Sequence, residues 1–415
     1  MEKKVHFTPV LTSGITVVGE TVDGMQIIDG GTAIGATIVG GGAQNILSGM
    51  ASATTIRGGG IQNVSSGTVS ATTISSGGAQ NVSGGIVNVT TVSSGGSQQV
   101  SSGCAVTATT VGSCGLLKIA AGGTATDITL NPGYYLNADT SATLAAGSVT
   151  ISGGTATKIT MTGDDNEDSL LTVLSGGIAI STTLGSNGLL GVAAGGTALS
   201  TIAYFGGSVA VQSGGTVNGA EIHGAACLFP EPGARIISAT LSGRGAIDLS
   251  PYGPGTFVID SLKVVNGGMV GVGDCDTNTG HNLTIGSLTG SAEFFVNTDL
   301  QSGKADTITI KSVSDSQSNT LQVNYDPVYD NPGQSVTGSQ ILVASSRGTA
   351  SFTPVPTHGY APTITMAKPS STTWTLTKLA PSSGGATCDI PSWRSGTKKI
   401  KWPGKERSEA GEPRR

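Results

Sequence analysis

Between residues 41 and 94 the apolar and polar positions return in the same order every eighteen residues. The copies are GGAQNILSGMASATTIRG at 41–58, GGIQNVSSGTVSATTISS at 59–76 and GGAQNVSGGIVNVTTVSS at 77–94. Ile28, Ile46, Val64, Val82 and Val100 make one apolar column, and Ile38, Ile56, Ile74 and Val92 make a second. Gln26, Gln44, Gln62, Gln80 and Gln98 run in phase with them. A period near twenty residues is too short to enclose a core of its own. Each copy must therefore bury its apolar face on the next, which predicts a solenoid. The unit beginning at Gly95 carries one extra residue before Thr109-Thr110-Val111, and later copies run at nineteen, with glycine pairs starting at Gly176, Gly195 and Gly214. The extra residue is expected beside a turn, where a coil tolerates it best.

Each unit holds two short runs of β-formers, such as Gln62-Asn63-Val64 and Ala71-Thr72-Thr73-Ile74, and each run is closed by Ser and Gly. That order predicts strand, turn, strand, turn, with glycine taking the positive φ at every corner. No segment has the helical period. At roughly 3.3 Å per extended residue one unit makes about one lap of a narrow coil, with laps about 4.8 Å apart. The predicted fold is all-β, a right-handed parallel β-helix or β-solenoid with 18–19-residue repeats. Alternation along the strands turns Val64 and Val82 inward and places Thr73 on the face opposite Ile74.

Composition supports a thin coil built from small residues. The 415 residues include 65 Gly, and 4% are aromatic and 11% charged, against about 25% charged in globular chains. The net charge of −5, and Arg57 as the single charged residue within 41–103, exclude the basic stripe that a nucleic-acid partner needs. No apolar run approaches the roughly 18 residues of a membrane span. Five cysteines (Cys104, Cys114, Cys227, Cys275, Cys388), without a Cys-x-x-Cys pair, argue against a disulfide framework or a zinc site. Cys104 and Cys114 are close enough to face each other across neighbouring turns, either as a disulfide or as two separate small residues.

The pattern divides the chain into an entry segment or N-terminal cap at 1–22, the clear repeats at 23–240, a less regular β-rich continuation at 241–380 and a tail at 381–415. The tail holds Arg394, Lys398, Lys399, Lys401, Lys405, Arg407, Arg414 and Arg415 without periodicity, and is expected to be disordered. Lys3 and Lys4 mimic the start of an export signal, but Pro9, Ser13 and Gly14 interrupt the apolar stretch that should follow.

Candidate chemistry is sparse. A β-helix enzyme acting on polysaccharides needs carboxylates gathered on one strand face, and the repeats from 41 to 103 supply none. The run Asp164-Asp165-Asn166-Glu167-Asp168 suits a solvated loop better than a calcium site, because contiguous carboxylates repel each other. Asp274, Asp276, Asn278 and Gly280 look like the opening of a calcium loop. The glycine falls one position late, however, and Ile285 stands where a bidentate glutamate belongs. His6, His223, His281 and His358 are far apart and are read as ordinary surface or turn histidines. The Gln column and the Asn45, Asn63, Asn81, Gln99 column suit either a sugar-binding strip or stacked amides bonding along the axis, the second being favoured. Adjacent threonines such as Thr72 and Thr73 point to opposite faces, which leaves one outward file where an ice-binding surface needs two. The triplets at Asn63, Asn81 and Asn88 match the glycosylation pattern but arise from composition. No catalytic, cofactor-binding or metal residue is assigned, and no cofactor is expected.

The glycine-pair, Gln, Val, Ser-Ser-Gly, Thr-Thr-Ile pattern resembles the repeats of the adhesin-involved-in-diffuse-adherence family, the passenger regions of bacterial autotransporters. Ala305-Asp306-Thr307-Ile308-Thr309-Ile310, Asn319-Thr320-Leu321-Gln322-Val323, Gln340-Ile341-Leu342-Val343 and Trp374-Thr375-Leu376-Thr377-Lys378-Leu379 are similar to the pertactin-like segment that closes such passengers. The two matches cover most of residues 23–380. The resemblance implies a non-enzymatic cell-surface or secreted passenger that mediates adhesion, self-association or biofilm formation. Its partners would be a host or abiotic surface or a second copy of itself, with glycan modification on Ser or Thr. Family members carry a signal peptide and a membrane barrel, and neither is read in this chain. The alternatives are a polysaccharide-acting enzyme with an acid pair within 241–380, a calcium-dependent repeat module, and a truncated passenger without function.

Overall fold

The structure, a computed structural model, describes residues 9–380 apart from 94, 113–114, 121–122, 131–147, 152–154, 162–168, 274–278, 300–303, 315–316, 326–339, 346–349, 357–362 and 371–372. The described residues are all-β, without helix, and successive repeats pair in parallel as laps of a β-solenoid. One sheet stacks eighteen strands, among them Ala43–Ile46, Ile61–Val64, Ala79–Val82 and Ser97–Val100. Its register sets Gln62 against Gln80 and Val64 against Val82. A second sheet stacks Thr68–Ile74, Ile86–Val92 and Ala105–Val111, setting Thr72 against Thr90 and Ile74 against Val92. Identical residues meet because the period of the sequence equals the length of a lap.

The columns face as alternation requires. Val64, Val82, Ile74 and Val92 are fully buried, while Thr73 is exposed. Val82 pairs with Val100, and Ile86 pairs with Ala105. The register therefore changes from eighteen to nineteen within 101–104, at a turn closed by the Cys104 amide donating to Ser101 O at 3.2 Å. Cys104 itself is a free, buried thiol, and Cys114 lies outside the described residues.

The corners depart from expectation in two ways. First, a lap has three straight arms rather than two. Thr68–Ser70 pairs with Met50–Ser52, and Thr73 and Ile74 pair separately with Thr55 and Ile56, with a bend at Ala71 between them. Second, on eight successive laps the bend is not made by glycine, although Gly35 and Gly219 hold it on the laps before and after. Ala53, Ala71, Val89, Ala108, Asp127, Lys158, Ser181 and Ser200 occupy it on successive laps, all with φ between 52° and 57°. Left-handed backbone costs a non-glycine residue roughly 1–2 kcal/mol. What holds it is an amide that donates toward the following lap, as from Ala53 N to Ser70 O at 3.1 Å and from Ser200 N to Asn218 O at 2.8 Å. Glycine is demanded elsewhere, by close approach. A Cβ on Gly78 would lie 2.5 Å from Ile56 O on the lap below.

Toward the C-terminal end the laps widen. Gly255–Val265 and His281–Thr289 are longer strands, and Phe257 and Phe294 enter the core. Gln340–Ser345 and Thr363–Ser370 both pair antiparallel with Thr373–Ala380. This reversal covers part of an edge that a parallel stack would otherwise leave open.

Candidate functional site

In the first-sheet strands that carry the glutamine column, the glutamine and the valine or isoleucine point inward, so the residue between them points out. Asn45, Asn63, Asn81 and Gln99 thus form an external file, in which Asn63 Nδ2 donates to Asn45 Oδ1 at 2.8 Å and Asn81 Nδ2 to Asn63 Oδ1 at 3.0 Å. The second sheet presents Thr73, Thr91 and Thr110 in one outer file and Ser70, Asn88 and Thr107 in another. Arg57 is the one charge exposed among these laps. The outer surface is therefore a set of straight rows of neutral hydroxyls and amides, repeating about every 4.8 Å.

The glutamines are internal, which removes them as a sugar-binding strip. All five are fully buried. Gln44, Gln62, Gln80 and Gln98 each donate from Nε2 to Oε1 of the preceding glutamine at 2.6, 2.7, 2.7 and 2.7 Å. At the lower end Gln26 Nε2 donates to Glu20 Oε2 at 2.6 Å, and at the upper end Gln98 Oε1 accepts from Thr109 Oγ1 at 3.1 Å. The inward members of the threonine pairs join this seam, with Gln98 Nε2 lying 3.1 Å from Thr90 Oγ1. A buried amide needs such partners, since an unpaired one costs about 1–3 kcal/mol.

Of the two described histidines, His223 stands at the surface beside a turn, as expected, whereas His281 does not. His281 is buried, with Nδ1 3.2 Å from Asp306 Oδ1 and Nε2 3.0 Å from Tyr252 O. Both ring nitrogens thus have an oxygen partner. Asp306, fully buried, also accepts at Oδ1 from the amides of Gly280 and His281, and at Oδ2 from that of Asn297, each at 2.9 Å. The cluster fastens adjoining laps from inside the wall. His223 is partly exposed, stacks on Tyr204 with ring centroids 5.4 Å apart, and holds Ser242 Oγ at 2.5 Å from Nδ1 and Glu221 Oε2 at 3.4 Å from Nε2. Apart from Glu221, which stands two residues before His223, the histidine partners come from neighbouring laps and are distant in sequence. For His223 the nineteen-residue offset alone points to Tyr204 and Ser242.

Asp164–Asp168, Asp274, Asp276, Asn278, His6 and His358 lie outside the described residues. Gly280, the fourth position of the suspected calcium loop, serves Asp306 instead, and Ile285 is core. At the left-handed corner, Lys158 Nζ lies 3.5 Å from Asp127 Oδ1, beside a crevice of about 400 Å³ lined further by Ile128, Thr160, Ser181 and Thr183.

No protein-family profile matches this chain. The comparison with curated proteins likewise yields no match. Among solved structures the chain is similar to a TibC-catalysed hyper-glycosylated fragment of TibA, residues 55–350 of that protein. The two are 20% identical over 83% of this chain and 98% of the fragment, with a TM-score of 0.41.

Proposed function

We propose that this chain is a non-enzymatic adhesive rod, displayed at a bacterial surface or released from it, that works through many weak contacts made by equivalent laps. One observation carries the reading. The outer files of asparagine, threonine and serine recur in register on the laps from 43 to 111, so each of these laps offers a partner a similar edge. Weak contacts multiplied along a stiff scaffold give avidity without a single deep pocket. The resemblance of the repeats to autotransporter passengers points the same way, toward a host surface, an abiotic surface or a second copy of the chain as partner. The exposed hydroxyl files at Thr73, Thr91 and Thr110 are the places where glycan modification would be accommodated without disturbing the core. In this reading the tract 23–240 carries adhesion, 241–380 completes the rod and 381–415 is a tail.

The competing reading, a polysaccharide-acting enzyme, needs an acid pair brought together within 241–380, and the Asp127–Lys158 crevice lies outside that tract. Hydrolysis of a glycosidic bond takes two carboxyl groups, and the crevice lining contributes one, Asp127.

A deletion series displayed on cells through a supplied export signal and barrel separates the readings. Removing residues 59–76 keeps the register and should leave a folded rod whose settling and whose binding to epithelial or abiotic surfaces fall gradually with each lap removed. Loss of all activity with one particular lap would indicate a single pocket. Absence of adhesion by the full displayed chain would sink the adhesive reading.

A further inference from the structure

We propose that Tyr204 and Phe205 form a stacking platform for a neutral glycan. Among the described residues these are the exposed aromatic side chains, 50% and 70% accessible, in a chain that is only 4% aromatic. They stand at one turn of the lap. The residues leading that turn on other laps are Arg57, Ser75, Ser93, Gly112 and Gly185, so rings here answer no need of the coil.

The surroundings look built rather than incidental. Ala203 pairs with Ile222 and His223 with Ser242, so Tyr204, His223 and Ser242 stand one above another on three consecutive laps. The rings of Tyr204 and His223 are 20° from parallel, and His223 is itself held between Ser242 Oγ and Glu221 Oε2. The phenol ring is thereby braced in one orientation, and a ligand that stacks on it has little ordering left to do. Around the rings are the carboxylate of Glu221, half exposed, and the hydroxyls of Ser186 and Ser242.

That combination selects the ligand class. A sugar ring presents a flat face of C–H groups to an aromatic face, whose negative quadrupole attracts them, and it turns hydroxyls outward to carboxylate, imidazole and serine. A protein partner fits less well. A stable protein interface buries about 1,200 Å² or more, whereas Gly206, Gly207 and Gly224 beside the rings add no apolar surface. A polyanion is disfavoured by Glu221.

The platform does not rest on the adhesive reading and is tested on the purified full chain in solution. The probes are tetrasaccharides of α-1,4- and β-1,4-linked glucose and a printed array of neutral glycans. Saturation-transfer NMR should show saturable binding of at least one of them, about tenfold weaker in Phe205→Ala and in Tyr204→Ala. Phe205→Trp should preserve or strengthen binding and report it through a shift of indole fluorescence. Ile61→Ala, at an exposed apolar position on the other sheet, should bind like the parent chain. Circular dichroism verifies the fold of each variant, and Phe205→Ala, at a side chain 70% accessible, is the one on which the test relies. No binding of any neutral glycan overturns the proposal, as does binding by Phe205→Ala within about twofold of the parent.

Discussion

The laps from 26 to 111 and those from 169 to 249 share a backbone but fill its interior differently. In the first stretch one inward column is glutamine and the column facing it is threonine. In the second, the glutamine position passes through Leu171, Leu190, Val209, Leu228 and Ile247, all fully buried. The columns change together. Directly after Gln98 gives way to Leu117, Thr109 gives way to Ile128, also buried. A buried amide and a buried hydroxyl satisfy each other, and a leucine satisfies neither. Where threonine returns at Thr182 and Thr201 it meets Leu190 and Val209, and the Oγ1 atoms of both threonines have no hydrogen-bond partner. Thr54 shows that even the polar stretch is not perfectly matched. The lesson is that either filling is stable when whole, and that a mixture is costly.

The comparison can be broken most forcefully by a charge in the shared apolar column. Val82→Asp should destabilise the rod by several kcal/mol, because an unpaired carboxylate would enter a fully buried stack. Thr73→Asp, on the exposed face, should shift the unfolding midpoint little. Equal tolerance would mean that inside and outside are misassigned. The C-terminal region concentrates buried polarity around Asp306, so Asp306→Ala should cost about 3–5 kcal/mol in urea unfolding, by removing the carboxylate that faces His281 Nδ1 and accepts from three amides. Unchanged stability would show that the cluster is not a fastening.

The seam itself is sharpened by Gln80→Leu, which breaks the ladder in the middle and should cost about 2–3 kcal/mol. Converting all five glutamines to leucine together with Thr54, Thr72, Thr90 and Thr109 to isoleucine, the filling that Leu117 and Ile128 introduce, should cost less than that single break. A larger loss in the multiple variant would refute the idea of two self-consistent fillings. Next in size, Thr201→Val should stabilise by about 1 kcal/mol, because it removes an unsatisfied hydroxyl, while Thr90→Val should destabilise by about as much. The same sign at both sites would erase the distinction between the regions. Smallest is Val89→Gly, expected to stabilise by about 0.5–1 kcal/mol, since a β-branched residue is strained at φ 55°. A lower melting temperature would show that Val89 contributes packing that outweighs its strain.

Much of this was legible because column statistics and strand alternation are local and repeated. Val64, Ile74 and Thr73 face as the pattern dictates, and the Gln column reads as stacked amides without any structure. The corner was not legible. Ala71, Val89, Asp127 and Lys158 share no chemistry, and what fixes their φ is an amide reaching toward the next lap, which leaves no mark on residue type. His281 and Asp306 were hidden for another reason. They lie twenty-five residues apart where the period has already loosened, and so no column joins them. Tyr204 and His223 are within reach of the sequence, since their separation is the period itself.

The glutamine ladder has a direction. Every amide points its N–H toward the start of the chain and its carbonyl toward the end, so the side-chain dipoles add along the axis as peptide dipoles add along a helix. The carboxylate of Glu20 meets the positive end, and the hydroxyl hydrogen of Thr109 meets the negative end. Both terminations lie outside the units that repeat at eighteen. Whole eighteen-residue copies can therefore be gained or lost between them without exposing an unfinished end. The length of this stretch is a quantity that selection can adjust one lap at a time.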